Sequence, residues 1–301
     1  GSSMLDELLG RAALKERIET LEAEKQSLEE QLEAEQRRRK EAVTDRQDAE
    51  RRVNELEDRI TQLEDRVERL QGEEHTLDYR RREEVSGVRL SRILDRLESI
   101  DSGPESVLTA VLTDGREIPQ PVREAFGERA TLVSRAAPCL AVADDAGLVS
   151  AAFDLPNSPE AFSTWSDGVE LQRSWLEPTG EYTLALVRSD LFAMGVYEGG
   201  EQTAFHGFDS DLKSKHSKGG FSQSRFERIR EGQIDSHLER CRAALEERPE
   251  DAPLFVVGES SVLHEVSREA DATAAVDATG EPEAALDSAF DSFWTVTLYG
   301  I

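Results

Sequence analysis

Apolar positions in the first third of the chain recur at alternating steps of four and three residues. From Leu14 the register runs through Ile18, Leu21, Lys25, Leu28 and Leu32, then through Glu35, Arg39, Ala42, Arg46 and Ala49. It becomes apolar again at Val53, Leu56, Ile60, Leu63, Val67 and Leu70. A repeat of this kind predicts a long α-helix whose apolar seam faces another helix, a coiled coil. No Gly or Pro lies between Arg11 and Gln71. The helix is therefore expected to be continuous, about 57 residues rising 1.5 Å each to a length on the order of 85 Å. A fold-back hairpin would need a turn in the polar middle, and no turn residues stand there. Parallel pairing with a second copy is the expectation, with a lone helix lying on a large partner as the alternative.

Beyond Gly72 the pattern changes. A second helix is expected from about Glu83 to Ile100 on Val85, Val88, Ile93, Leu94 and Leu97, stopped by Asp101-Ser-Gly-Pro104. Short apolar runs bounded by turn residues then follow at 107–112, 131–133, 139–143 and 148–153. A looser stretch, 156–175, carries Phe162, Trp165 and Trp175. Tyr182 to Arg188, Leu191 to Tyr197 and Gln202 to Phe208 predict a meander of three strands. A long helix from about Ser224 to Glu247 carries the apolar stripe Phe226, Ile229, Ile234, Leu238, Cys241, Ala244 and Leu245, and Pro249 closes it. Leu254 to Val257 reads as a strand, Ser260 to Ala270 as a helix and Phe293 to Leu298 as a closing strand. The expected architecture is an α/β (α+β) mixed-sheet domain over 105–301, a helical linker over 73–104 and a long N-terminal α-helical coiled coil over 4–72. Gly1-Ser2-Ser3 ahead of Met4 reads as a tag remnant.

Composition narrows the classes of function. No apolar run approaches the roughly 18 to 20 residues of a membrane span, and no signal sequence follows Met4, so a cytoplasmic protein without a membrane partner is expected. Cys139 and Cys241 stand apart, without CxxC spacing or neighbouring histidines. His75, His206, His216, His237 and His264 show no HxxxH or HExxH spacing. Neither a disulfide framework nor a metal site is expected, and no cofactor. The chain carries 36 basic against 63 acidic residues, a net charge of −27, and only six of the cations are lysine. An acidic, lysine-poor surface suits concentrated salt, where charge repulsion is screened within about 3 Å at 1 M, so a halophilic source is expected.

Against that background, three of the six lysines, Lys213, Lys215 and Lys218, fall within six residues. Arg225, Arg228 and Arg230 follow, with Glu227 as the one acid, so Lys213–Arg230 carries +5 within a strongly acidic chain. This concentration predicts a polyanionic partner, RNA; a solvated helix start would have acids mixed in. Gly219-Gly220 lets the backbone take positive φ and pass close to a ligand. The segment lacks the cysteine, acid pair, histidine pair or metal set of an ordinary hydrolase. It holds Gln223, whose amide is too weak a base to take a proton but can hold a water through one acceptor and two donors. Catalysis there would rest on positioning and electrostatics, with another body closing the site.

The string Gly219-Gly-Phe-Ser-Gln-Ser-Arg-Phe-Glu-Arg-Ile-Arg230 resembles the tip of the catalytic middle domain of eukaryotic and archaeal peptide-chain release factors. In that family Gly-Gly-Gln is followed by Ser-x-x-Arg-Phe-x-Arg-x-Arg. Gly219, Gly220, Ser222, Arg225, Phe226, Arg228 and Arg230 match without gaps. Phe221 stands where the family has glutamine, and the glutamine is displaced by two residues to Gln223. That displacement is similar to the release-factor-like branch of Vms-type peptidyl-tRNA hydrolases, which act in ribosome quality control. The resemblance extends over about Tyr182 to Ile301.

The resemblance implies a codon-independent peptidyl-tRNA hydrolase acting on stalled ribosomes or large subunits. Gln223 would position water or offer its backbone N–H to the leaving oxygen, with Gly219 and Gly220 letting the loop bend. Lys213, Lys215, Lys218, Arg225, Arg228 and Arg230 would neutralise ribosomal and transfer-RNA phosphates, with His216 and Ser222 as further RNA contacts. Phe221 would stack on a base or pack beneath the loop. The implied partners are the large ribosomal subunit and peptidyl-tRNA, not DNA; the homodimer through the coiled coil is expected from the heptad pattern alone. A stop-codon-reading domain has no counterpart in the sequence, so decoding is not expected. A non-catalytic ribosome-binding adaptor is the second reading, and a nuclease acting at the transfer-RNA 3′ end the third.

Overall fold

A computed structural model describes residues 2–74, 77–212 and 222–301, which divide into two compact units, Gly1–Thr76 and Leu77–Ile301. In the first unit a single helix, α1, runs from Ser2 to Glu74 without a break. Its Glu, Gln, Leu, Arg and Ala content favours helix. Ion pairs one turn apart, Lys25–Glu29 at 3.7 Å and Arg46–Glu50 at 2.8 Å, add local support. Helix formation carries through Gly72, which does not end it.

The second unit contains two sheets where a single mixed sheet was expected. Its first part holds β1 (Arg81–Val85), α2 (Gly87–Glu98), β2 (Val107–Leu112), α3 (Gln120–Phe126), α4 (Ala130–Ala136), β3 (Cys139–Asp144), β4 (Ser150–Asp154) and β5 (Phe162–Ser166). The second part holds β6 (Glu181–Val187), β7 (Leu191–Glu198), β8 (Glu201–Asp209), α5 (Ser222–Glu246), β9 (Leu254–Gly258), α6 (Ser260–Val266), β10 (Ala272–Ala275), α7 (Pro282–Phe293) and β11 (Val296–Gly300).

The first sheet has the order β1-β11-β4-β3-β2-β5 and is antiparallel throughout. Its closing strand comes from the far end of the chain: β11 leaves α7 and inserts between β1 and β4. One face packs on α2 through Leu90, Leu94 and Leu97; the other packs on α3 and α4 through Val122, Leu132 and Val133. Two sequence expectations are corrected here. Glu83–Val85 is strand rather than helix, because β11 supplies a backbone partner, with Val85 opposite Val296. The run 131–133 lies in α4, where Ala130, Val133 and Ala136 bury one helical face. The aromatic anchors of 156–175 belong to this sheet: Phe162 and Trp165 lie on β5, and Phe162 and Trp175 meet at 6.0 Å between ring centres.

The second sheet is the mixed one, with the order β10-β9-β6-β7-β8. The meander β6-β7-β8 is antiparallel, while β9 runs parallel to both β6 and β10. Residues of β6 alternate between two cores. Tyr182, Leu184 and Leu186 face α7, whereas Ala185 and Val187 face α5 and α6. Burial on both faces is why this strand reads as a continuous apolar run. The result is a sheet between helices, with β8 at one edge and α5 the next element in chain order.

Candidate nucleic-acid interface

The basic segment joins β8 to α5. Lys213, Lys215, His216, Lys218, Gly219, Gly220 and Phe221 lie outside the described residues. Ser222 and Gln223 open α5, so the glutamine expected in a loop stands on the first turn of a helix. The first N–H groups of an α-helix have no partner within it, and in α5 those of Ser222, Gln223 and Ser224 are among them.

The segment is anchored where it leaves the sheet. The Ser210 N–H donates to the Asp190 carbonyl at 2.7 Å. The Ser210 hydroxyl and His237 Nδ1 share a hydrogen bond of 2.6 Å. His237 is buried on α5, between the sheet and the helix's own apolar stripe. Phe208, two residues before Ser210, stacks on Phe192 with ring centres 5.0 Å apart. The Arg240 guanidinium lies 3.8 Å from the centre of the Phe208 ring, a cation–π contact. Two shallow hollows flank Ser210. One, about 500 Å³, is lined by Ile229, Gly232, Ser236, His237 and Arg240. The other, about 320 Å³, is lined by Arg188, Asp190, Asp209, Asp211 and Gly280.

Helix α5 has two distinct halves. Arg225, Arg228 and Ile229 are exposed, and Phe226 and Arg230 half-buried. Burial sets in at His237 and continues through Leu238, Cys241, Ala244 and Leu245. Arg225 and Arg228 are three residues apart and so share a face. Among the described residues no ion pair engages Arg225, Arg228 or Arg230. By contrast, Arg242 pairs with Glu265, Arg248 with Glu269 and Arg188 with Asp277. Asp190, Asp209 and Asp211 make the foot of the segment acidic, a setting that disfavours an anion there.

The described residues offer little other chemistry. Burial pushes the thiols of Cys139 and Cys241 up to about 12, so both stay protonated and inert near neutrality. No group of His, Cys, Asp and Glu among the described residues is arranged to hold a metal ion. Sequence reasoning missed Ser210 and Arg240 and considered His237 only as a metal ligand. The available signal was the position of His237 next to Leu238 and four residues before Cys241, a polar ring on the buried stripe of α5.

Fold and site together define a module with a mixed sheet, helices on both faces and a glycine-containing cationic segment leading into an arginine-bearing helix. Residues 180–299 match a model of the family described as Actinobacteria/chloroflexi VLRF1 release factor. The match covers the meander, the basic segment, α5 and the return to β11, close to the stretch over which the release-factor resemblance was read. No curated protein matches the chain. Among solved structures, the chain is similar to the crystal structure of archaeal translation termination factor aRF1, with 10% identity and a TM-score of 0.26. That alignment covers 70% of this chain and 73% of that one. A structure described as an archaeal protein gives 12% identity and a TM-score of 0.25 over 68% and 69% of the two chains. Neither likeness is close enough to superpose one site on another. Among the described residues no helix is long and apolar enough to cross a membrane.

Proposed function

We propose that the protein is a codon-independent peptidyl-tRNA hydrolase of the cytoplasm, of the Vms-type branch, acting on stalled ribosomes or freed large subunits. One observation carries this reading. The Gly219-Gly220 string, with Arg225, Phe226, Arg228 and Arg230 in release-factor spacing, falls inside the stretch that matches a release-factor family.

The reaction is hydrolysis of an ester. A water oxygen attacks the carbonyl carbon joining peptide to the transfer-RNA ribose, and the carbon–oxygen bond to the ribose breaks. The peptide leaves with a carboxyl group, and the ribose hydroxyl regains a proton. Gln223 contributes by holding the water or by directing its free helix-start N–H at the leaving oxygen, and the charged groups supply electrostatic stabilisation. Lys213, Lys215, Lys218, Arg225, Arg228 and Arg230 neutralise RNA phosphates, with His216, Phe221 and Ser222 as further contacts. The acidic surface elsewhere suits a halophilic cytoplasm, and α1 suits protein partners better than RNA.

The test is incubation of large subunits carrying labelled peptidyl-tRNA with the protein and with Gln223→Ala. The intact protein should release peptide and intact transfer RNA, and the variant should lose at least about tenfold in rate, the scale of one lost positioning contact. Ribosome binding without release would establish the adaptor reading. Peptide left on a shortened RNA fragment would establish a nuclease.

A further inference from the structure

We infer that α1 pairs with α1 of a second copy as a parallel, in-register, two-stranded coiled coil whose register is set by its own charges. The inference stands whatever reaction the second unit performs.

The seam is uncovered within its own unit. From Leu14 to Leu32 and from Val53 to Val67, its large apolar side chains remain 46–65% exposed along an otherwise regular helix. In heptad terms the a positions include Ile18, Val53, Ile60 and Val67, while the d positions include Leu14, Leu21, Leu28, Leu56 and Leu63. β-Branched residues at a with leucine at d are the combination that favours two parallel strands. Leu32 is the one apolar a residue that departs from this pattern, and Lys25, Arg39 and Arg46 are polar a positions.

The flanking charges of the C-terminal block suit a second copy running parallel. In the C-terminal block the g positions are Arg52, Arg59 and Arg66, and the e positions five residues on are Glu57, Glu64 and Gln71. In a parallel in-register pair each g side chain meets the partner's following e position, giving Arg–Glu, Arg–Glu and Arg–Gln on both sides of the seam. An antiparallel pair brings g to g and e to e between opposite ends of the helices, setting Arg66 against Arg17, Arg59 against Glu24 and Arg52 against Gln31. In this block a parallel second copy therefore supplies complementary or neutral partners to all three arginines, without setting arginine against arginine.

The polar layers fit the same arrangement. Lys25, Arg39 and Arg46 occupy a positions, and Lys25 and Arg46 are each already paired to the e-position glutamate of their own helix, Glu29 and Glu50. The two like-charged g–e pairs of the parallel dimer, Glu24 with Glu29 and Asp45 with Glu50, bracket these same cations. A slip of one heptad would set Arg46 against Val53 and Lys25 against Ile18 or Leu32, burying charge on apolar layers. Polar a positions thus cost stability and fix the register.

The experiment uses the full chain with single engineered thiols. Native Cys139 and Cys241 are fully buried, so an added cysteine reports alone. Leu21→Cys and Leu63→Cys each sit at d, and Asp58→Cys sits on the outer face. Light scattering should give twice the 33.5 kDa chain mass. Oxidation should link Leu21→Cys chains to one another and Leu63→Cys chains to one another, leaving Asp58→Cys unlinked. A monomeric or trimeric mass overturns the proposal. So does linkage that forms only when Leu21→Cys and Leu63→Cys chains are mixed, the signature of an antiparallel pair. A charge test guards against variants that disturb the helix. Arg52→Glu with Arg59→Glu and Arg66→Glu should weaken self-association by at least about tenfold, equivalent to about 1.4 kcal/mol. Mixing with Glu57→Arg, Glu64→Arg chains should restore a heterodimer, and failure of that rescue with both helices intact by circular dichroism also overturns the proposal.

Discussion

At the scale of single residues, the contact between Ser210 and His237 ties the end of β8 to the middle of α5, on either side of the basic segment. The other ring nitrogen of His237, Nε2, is buried without a partner among the described residues, so the Ser210 hydroxyl is the imidazole's main polar contact. Ser210→Ala should therefore leave a buried polar group unmatched, at a cost of about 1–3 kcal/mol. All three tryptophans, Trp165, Trp175 and Trp294, lie in the second unit, so urea unfolding followed by their fluorescence reads that unit. In the proposed hydrolase the same variant should slow peptide release per bound ribosome while leaving binding affinity nearly unchanged. Unaltered release with the stability loss present would limit the pair to a structural role.

At the scale of the element, α5 combines a packed half with an exposed one. Leu238 fills the core beneath the sheet, and Leu238→Ala should cost about 2–5 kcal/mol in the same unfolding measurement. Arg225 and Arg228 touch no core, so their joint change to alanine should leave stability within about 0.5 kcal/mol. Ribosome binding should nonetheless weaken, and the slope of log affinity against log salt should become shallower by about 2 if each arginine meets one phosphate. A full-strength complex with an unchanged slope would remove both residues from the RNA contact. This division was half legible in the sequence. The apolar stripe predicted the helix and its buried residues, but Phe226 and Ile229 sit on the same stripe and are left half-buried and exposed. Helical periodicity marks a face, while the extent of the sheet beneath decides how far along that face burial reaches.

At the scale of the molecule, a net charge of −27 sets two salt effects against each other. Self-repulsion reaches over about 8 Å at physiological ionic strength and about 3 Å at 1 M, so added potassium chloride should raise the melting midpoint up to molar concentrations. The same salt should weaken the phosphate contacts of the basic segment. A flat or falling melting profile would argue against an acidic surface adapted to salt.

Local pattern alone determined α1, the β6-β7-β8 meander, α5 and the cationic string from Lys213 to Arg230, because helical periodicity, strand alternation, turn residues and charge density are all written within a few neighbouring residues. Only tertiary structure decided that β1 is a strand, that 131–133 is helical, that β11 closes the first sheet rather than the mixed one, and that Ser210 meets His237. Val85 finds its partner in Val296, and Ser210 finds its own across the whole basic segment. Pairings over such separations depend on how the chain returns upon itself, which no window along the sequence contains.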